Sequence, residues 1–246
     1  MTNRDRTPTV TASSTGQPTT GGNPDVDRFL AQVAAASKRG PGPEGRGRLI
    51  FAMDATASRE PTWDRAMHLQ AEMFSATSGL GGLDVQLVFY RGFRECKASK
   101  WVSDSQSLLR TMTGVRCLGG QTQIGRVLGH TLKQAKAGRI NALVFVGDAF
   151  EEDIDAVCAN AGELGLLGVP AFLFQEGLDP VARRAFEQIA TLTKGAWCPF
   201  NTGAADQLKA LLGAVAAYAA GGYRALEAYE RASGADTLKL THQVRR

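Results

Sequence analysis

Asp54-Ala55-Thr56-Ala57-Ser58 sets one carboxylate and two hydroxyls on alternate positions of a five-residue stretch. In a tight loop that spacing turns three oxygens to one side. A second carboxylate, Asp148, closes the phrase Val146-Gly147-Asp148, and a third hydroxyl, Thr122, follows the glycine pair Gly119-Gly120. All five side chains offer oxygen, and none offers nitrogen or sulfur. Hard divalent cations take such ligands; Mg²⁺ holds near-octahedral geometry with bonds of about 2.1 Å and keeps part of its water. Two carboxylates and an open position would leave the ion electrophilic, ready for a carboxylate from another molecule. Mg²⁺ is therefore the expected ion, with Mn²⁺ and Ca²⁺ as alternatives. Taken singly, each residue has a plainer reading: Asp54 and Asp148 as loop caps, Thr122 as the cap of a helix beginning at Gln123.

Competing chemistries find less in the chain. Asp54 as a phosphoryl acceptor has precedent in aspartyl phosphates, but haloacid dehalogenase-type enzymes carry a second Asp two residues on, where this sequence has Thr56. No GxGxxG follows a strand and no GxxxxGK[ST] loop occurs, so the usual nucleotide sites are not expected. Ser58 lacks a histidine in register: His68 falls about three turns into the next helix and His130 lies within another, which gives both a packing or surface role. Four scattered cysteines without a CxxC pair, and three histidines, predict no zinc site and reduced thiols. A net charge of +4 with no basic, aromatic-laced stripe excludes an obvious nucleic-acid binder. The start has no apolar run after its charges, and the apolar segment 208–223 is mostly alanine. Neither a secretory signal nor a membrane span is expected, and the cytoplasm is the predicted location.

The oxygen-bearing residues need strand ends to carry them. Leu49-Ile50-Phe51-Ala52-Met53 and Ala142-Leu143-Val144-Phe145-Val146 are continuous apolar runs of the kind buried on both faces of a sheet. Asp54 and Asp148 follow them directly. Further strands are predicted at 85–90, 169–174 and 196–200. A hairpin at Arg91-Gly92-Phe93-Arg94 leads into an edge strand over 96–102, and should hold Arg91 and Arg94 at the same end of the sheet. Helices are predicted from Pro61, with Trp63, Met67 and Phe74 among the apolar positions and Gly79 to Gly82 as the stop, over 123–136, 151–166 and 180–193, and from Ala204 onward with a break at Gly221-Gly222. Glu151, Glu152 and Asp153 are expected to stabilise the start of their own helix, with shaping the rim of the metal face or repelling wrong partners as the alternative. Alternating strands and helices give an α/β fold with a doubly wound, mostly parallel sheet and one antiparallel edge strand. The Thr-, Ser-, Gly- and Pro-rich residues 1–24 read as a disordered tail, 25–45 as a short amphipathic helix and linker, 46–223 as the domain, and 224–246 as a helix end and basic tail.

Asp54-x-Thr56-x-Ser58, Gly119-Gly120-x-Thr122 and Val146-Gly147-Asp148 resemble the metal-ion-dependent adhesion site (MIDAS) of von Willebrand factor A (VWA) domains. The family's core motif is Asp-x-Ser-x-Ser with a distant Thr and Asp. Here Thr56 stands for the first Ser, keeping the hydroxyl, and Ala149 follows the last Asp where the family has Gly. Asp54 to Asp64 and Thr241-His242-Gln243 also resemble phrases of bacterial single-domain members. The resemblance implies a Rossmann-like VWA fold over about residues 46–223, and Asp54, Thr56, Ser58, Thr122 and Asp148 as ligands of one divalent ion. It further implies a non-enzymatic adaptor that engages an Asp or Glu of a protein partner, with AAA+ ATPases among the partners. A metal-assisted phosphoester-acting enzyme and a structural module with a decayed metal site are the alternatives.

Overall fold

The computed structural model describes Arg28, residues 46–200 and residues 205–232. The expected tail 1–24, the helix over 25–38 apart from Arg28, and the end 233–246 lie outside the described residues. Strand β1 (Gly47–Asp54) is built from the first apolar run and is almost wholly buried. It pairs in parallel with β2 (Leu83–Arg91) on one side and with β4 (Ala142–Gly147) on the other. Strands β5 (Ala171–Glu176) and β6 (Ala196–Phe200) extend the parallel side, while β3 (Glu95–Val102) runs antiparallel to β2. The order is β3-β2-β1-β4-β5-β6. The chain steps from β1 outward to β3, then returns to place β4 against the free side of β1. The strand order therefore reverses between β1 and β4, and in open α/β sheets ligands bind at the carboxyl ends of the strands flanking that point.

Side chains alternate across β1 because the strand period is two. Leu49, Phe51 and Met53 enter the core on one face of the sheet. That face is covered by α1 (Glu60–Leu69), α2 (Ala71–Ser75), α3 (Ser105–Thr113) and α7 (Ala205–Ala232). Ile50 and Ala52 enter the core on the other, under α4 (Ile124–Ala137), α5 (Ile154–Leu166) and α6 (Pro180–Thr193). Burial from both sides is why these strands read as unbroken apolar runs.

Several boundaries differ from expectation. The helix opened by Pro61 is interrupted at buried Gln70 and resumes as α2. Helix α3 was not anticipated; the Asp104 carboxylate caps it by accepting from Ser107 N at 2.8 Å, and Leu108 and Met112, one turn apart, are its buried residues. Strand β5 starts at Ala171, not Val169, since Pro170 has no N–H for the ladder. It runs on to Glu176, which pairs with Phe200 of β6. Helix α7 breaks where expected, with Gly222 at φ 69° and ψ −158°. The segment beyond doubles back: the Tyr229 hydroxyl donates to Glu72 Oε1 at 3.3 Å, and a Cβ on Gly213 would sit 2.1 Å from that hydroxyl. Edge strand β3 carries Lys97 and Lys100 outward, and its pairing with β2 is irregular between Gln86 and Val88. There Ser99 Oγ accepts from Leu87 N at 3.0 Å. No helix among the described residues is long and apolar enough to cross a membrane.

Candidate metal centre

Asp54 is the last residue of β1, opposite Tyr90 in register. Its Oδ1 accepts from Thr56 N at 2.7 Å and its Oδ2 from the Tyr90 hydroxyl at 3.0 Å. The first bond bends the backbone out of the strand in an Asx-type turn. A short 3₁₀ turn over Ala57–Arg59 follows, leaving Thr56 Oγ1 and Ser58 Oγ 3.4 Å apart. Asp54 is only 2% exposed, and burial raises its pKa above the ordinary value against the opposing hydrogen bonds from Thr56 and Tyr90. Burial, then the nearby Asp54 carboxylate, pushes the Tyr90 phenol well above its usual value, so it stays a proton donor to Asp54.

Thr122 reaches the same place from the loop before α4. A Cβ on Gly120 would lie 2.0 Å from Gly92 O, so only glycine allows that loop to close on the β2–β3 hairpin. Thr122 and Glu151 then lock together: Thr122 N donates to Glu151 Oε2 at 3.1 Å, and Glu151 N donates to Thr122 Oγ1 at 3.0 Å. Glu152 accepts from Ile124 N and from Gly125 N, the latter at 2.9 Å. The acidic trio thus divides: Glu151 lines the cleft, and helix stabilisation is corrected for Glu151 and Glu152. Only Asp153 caps its own helix, α5, through Asp155 N and Ala156 N at 2.9 and 3.2 Å. The loop after β4 passes across the start of α4, whose first amides lack intrahelical partners and attract the other two carboxylates. Glu152→Ala should cost about 1–2 kcal/mol as a lost cap. Chemical denaturation that gives an unchanged midpoint would contradict this.

Asp148, directly after β4, faces the first loop. Ser58 Oγ donates to its Oδ2 at 3.4 Å, and Arg59 Nη1 lies 3.2 Å from the same oxygen. Arg59 is the functional neighbour that reading the sequence missed. Its side chain is 5% exposed and also ion-pairs with Glu176, at the end of β5, which accepts a further bond from the Thr62 hydroxyl. Trp63, packed edge-on against Phe89 with centroids 6.0 Å apart, fastens α1 to the sheet and so fixes the turn that carries Arg59. Counted with Glu151 of the cleft wall, Asp54, Asp148 and Glu176 bring four carboxyl groups against the single Arg59 guanidinium, an excess that a divalent cation would reduce.

The five expected residues line one cleft of about 210 Å³, with Ala57, Gly119, Gly120, Ala149 and Glu151 completing its wall. Asp54 lies buried at its base, while Ser58 is exposed and Asp148 partly so. Neighbouring ligands of an octahedral ion with bonds of about 2.1 Å lie about 3 Å apart, and somewhat further apart around Ca²⁺. The 3.4 Å spacings from Thr56 to Ser58 and from Ser58 to Asp148 are near that figure and long for hydroxyl hydrogen bonds. The donor set therefore fits a hard cation. Among the described residues no cage of three or more His, Cys, Asp or Glu occurs; the cleft draws on hydroxyls for its remaining oxygens. Among the described residues no histidine lines it. His68 is exposed in the last turn of α1, and His130 contacts Gln86 Oε1 at 2.9 Å, with burial lowering its pKa.

No protein-family model and no curated protein matches the chain. Solved structures do. A von Willebrand factor type A protein from Catenulispora acidiphila superposes with a TM-score of 0.60 at 12% identity, over 71% of this chain and 43% of that one. Proximal thread matrix protein 1 of the mussel byssus, in a form with a zinc-occupied MIDAS motif, gives 0.53 at 18% identity, over 71% and 48%. The SpRpn10 VWA domain gives 0.51 at 12% identity, over 66% of this chain and 93% of that domain. The chain spans less than half the length of the first two. At such identities the likeness carries the fold. The chain has the VWA fold, a six-stranded sheet with five parallel strands and one antiparallel edge.

Proposed function

We propose that this chain is a metal-dependent protein-binding module, not an enzyme, in which Asp54, Thr56, Ser58, Thr122 and Asp148 hold one Mg²⁺, with Mn²⁺ or Ca²⁺ able to substitute. One observation supports this above the others. Five oxygen-bearing side chains from three distant loops line a single cleft at the strand-order reversal, with no histidine base beside Ser58 among the described residues. The ion would supply an electrophilic position that takes a carboxylate from a partner's Asp or Glu. Asp54 would hold it from the buried base of the cleft, oriented by Thr56 N and the Tyr90 hydroxyl. Thr122 would be held in place by its exchange with Glu151, and Asp148 by Arg59. The partner class that the motif resemblance suggests is an AAA+ ATPase or similar assembly machine. Four free cysteines suit a cytoplasmic setting.

Calorimetric titration with Mg²⁺ and Mn²⁺ is the test. The wild type should release binding heat that saturates at one ion per chain, and Asp54→Ala should release none. Equal heats from the two proteins would dismiss the metal role. Capture of a partner that ignores EDTA would dismiss the metal-mediated grip.

A further inference from the structure

The geometry points to a second recognition element beside the cleft: an apolar pad of Phe93 and Leu118, edged by Arg94 and Arg116, that accepts an apolar side chain and a further acid from the same partner segment whose Asp or Glu meets the metal. This rests on the metal-dependent reading and names the chemistry of the partner beyond its first carboxylate.

Phe93 is 74% exposed and Leu118 55% exposed. Single exposed apolar residues are ordinary, but these two lie on loops that interlock next to the cleft. Gly92 N donates to Leu118 O at 3.4 Å, and Gln121 N donates to Gly92 O at 3.1 Å. Gln123 Nε2 donates to the carbonyls of Arg91 and Gly92, each at 3.2 Å. Arg91 Nη1 donates to Arg116 O at 2.6 Å, and Arg126 Nη1 to Arg94 O at 2.8 Å. Leu118 N reaches Ala55 O at 3.0 Å, inside the first metal loop itself. The hairpin tip is thus pinned from several sides while its aromatic ring projects into water. Rigid aromatic anchors lose little entropy on contact and carry binding energy out of proportion to their number.

Charge gives the pad a direction. Arg94 and Arg116 are exposed, and among the described residues neither side chain has an ion-pair partner. The cleft rim itself is acidic, with Glu151 in the wall against Thr122 and exposed Asp153 and Asp155 after it. Glu95 is already paired with Arg91 and Lys97, and Glu60 and Asp64 lie near Cys117, so the two guanidiniums are where a second acid of a segment anchored at the metal is drawn, beside the apolar contact of Phe93 and Leu118.

The test selects binders from a random peptide library displayed on phage, with Mg²⁺ present, against the full chain. Recovered peptides should share an Asp or Glu with a nearby Phe, Leu or Met and a second acid. Their affinity should fall at least tenfold for Phe93→Ser/Leu118→Ser. It should fall several-fold, with a weaker salt dependence, for Arg94→Glu/Arg116→Glu. Leu178→Ser, an 88% exposed residue after β5, should bind them like the wild type; the serine variants should keep the wild-type metal titration, and the charge-reversal variant should still bind one ion per chain. Mg²⁺-dependent peptides that are merely acidic and bind the Phe93/Leu118 variant equally would overturn the pad while leaving the metal reading intact. Binding unaffected by EDTA would overturn both. Self-association abolished by Phe93→Ser would seat a second copy of the chain on the pad and overturn its assignment to a partner.

Discussion

Arg59→Met should lower the melting temperature of the protein in EDTA by about 6–20 °C. Breaking a buried ion pair by removing one member costs about 3–5 kcal/mol, because the surviving charge stays buried without compensation. For domains of about 150–250 residues, each kcal/mol shifts the midpoint by about 2–4 °C. Arg59 qualifies because its side chain is 5% exposed and the Glu176 carboxylate it meets is 8% exposed. Its loss also strips Asp148 of the guanidinium at 3.2 Å. The double variant Arg59→Met/Glu176→Met should recover more than half of the loss, since apolar replacement of a buried pair is often neutral. Mg²⁺ should stabilise Arg59→Met by more degrees than the wild type, because the ion then faces a more negative cleft. A single variant melting within about 2 °C of the wild type would remove Arg59 from this role.

Asp54→Asn should separate stability from metal response. Burial holds the Asp54 carboxyl above its ordinary pKa, so the fold favours the protonated form. That contribution is fully present below the unfolded pKa and is lost as pH rises through the folded one. At neutral pH the metal-free wild type carries the cost of a buried anion, and Asn, nearly identical in shape, does not. The variant should therefore melt higher than the wild type in EDTA at pH 7, and lower than it in saturating Mg²⁺. An ion at 100 times its Kd stabilises by about 2.7 kcal/mol, or roughly 5–11 °C at this size, and Asn should forfeit all of it. Metal affinity of the wild type should rise with pH through the Asp54 window and level off above it. A Mg²⁺-induced shift that survives in Asp54→Asn, read by differential scanning calorimetry, would contradict the assignment.

What could be read from the sequence follows from how each feature is encoded. The ends of β1 and β4 were legible because continuous apolar runs stop abruptly at Asp54 and Gly147-Asp148, and a strand's end fixes where the next side chain points. The glycines before Thr122 signalled a close loop, and the structure shows what they approach, the Gly92 carbonyl. Arg59 was invisible for a different reason. Its partner Glu176 lies 117 positions away, at the end of β5, and only the assembled sheet brings the two side chains together. Glu151 and Glu152 misled because an acidic run before a helix predicts local capping, whereas the amides they satisfy belong to another helix brought alongside by the tertiary fold. Helix α3 carried a fair signal, Asp104 with Leu108 and Met112, but nine residues give too few turns for periodicity to stand out.

The irregular, lysine-bearing outer strand β3 has a bearing on how copies of this protein behave when crowded. A bare strand invites another chain to lengthen the sheet, and lysines together with a local kink are known deterrents to such zippering. Lys97 and Lys100 point into solvent there, and the slip between Gln86 and Val88 bends the rim just where a visiting strand would need it straight. Concentrated solutions are thus expected to resist fibre-like stacking at this border of the sheet.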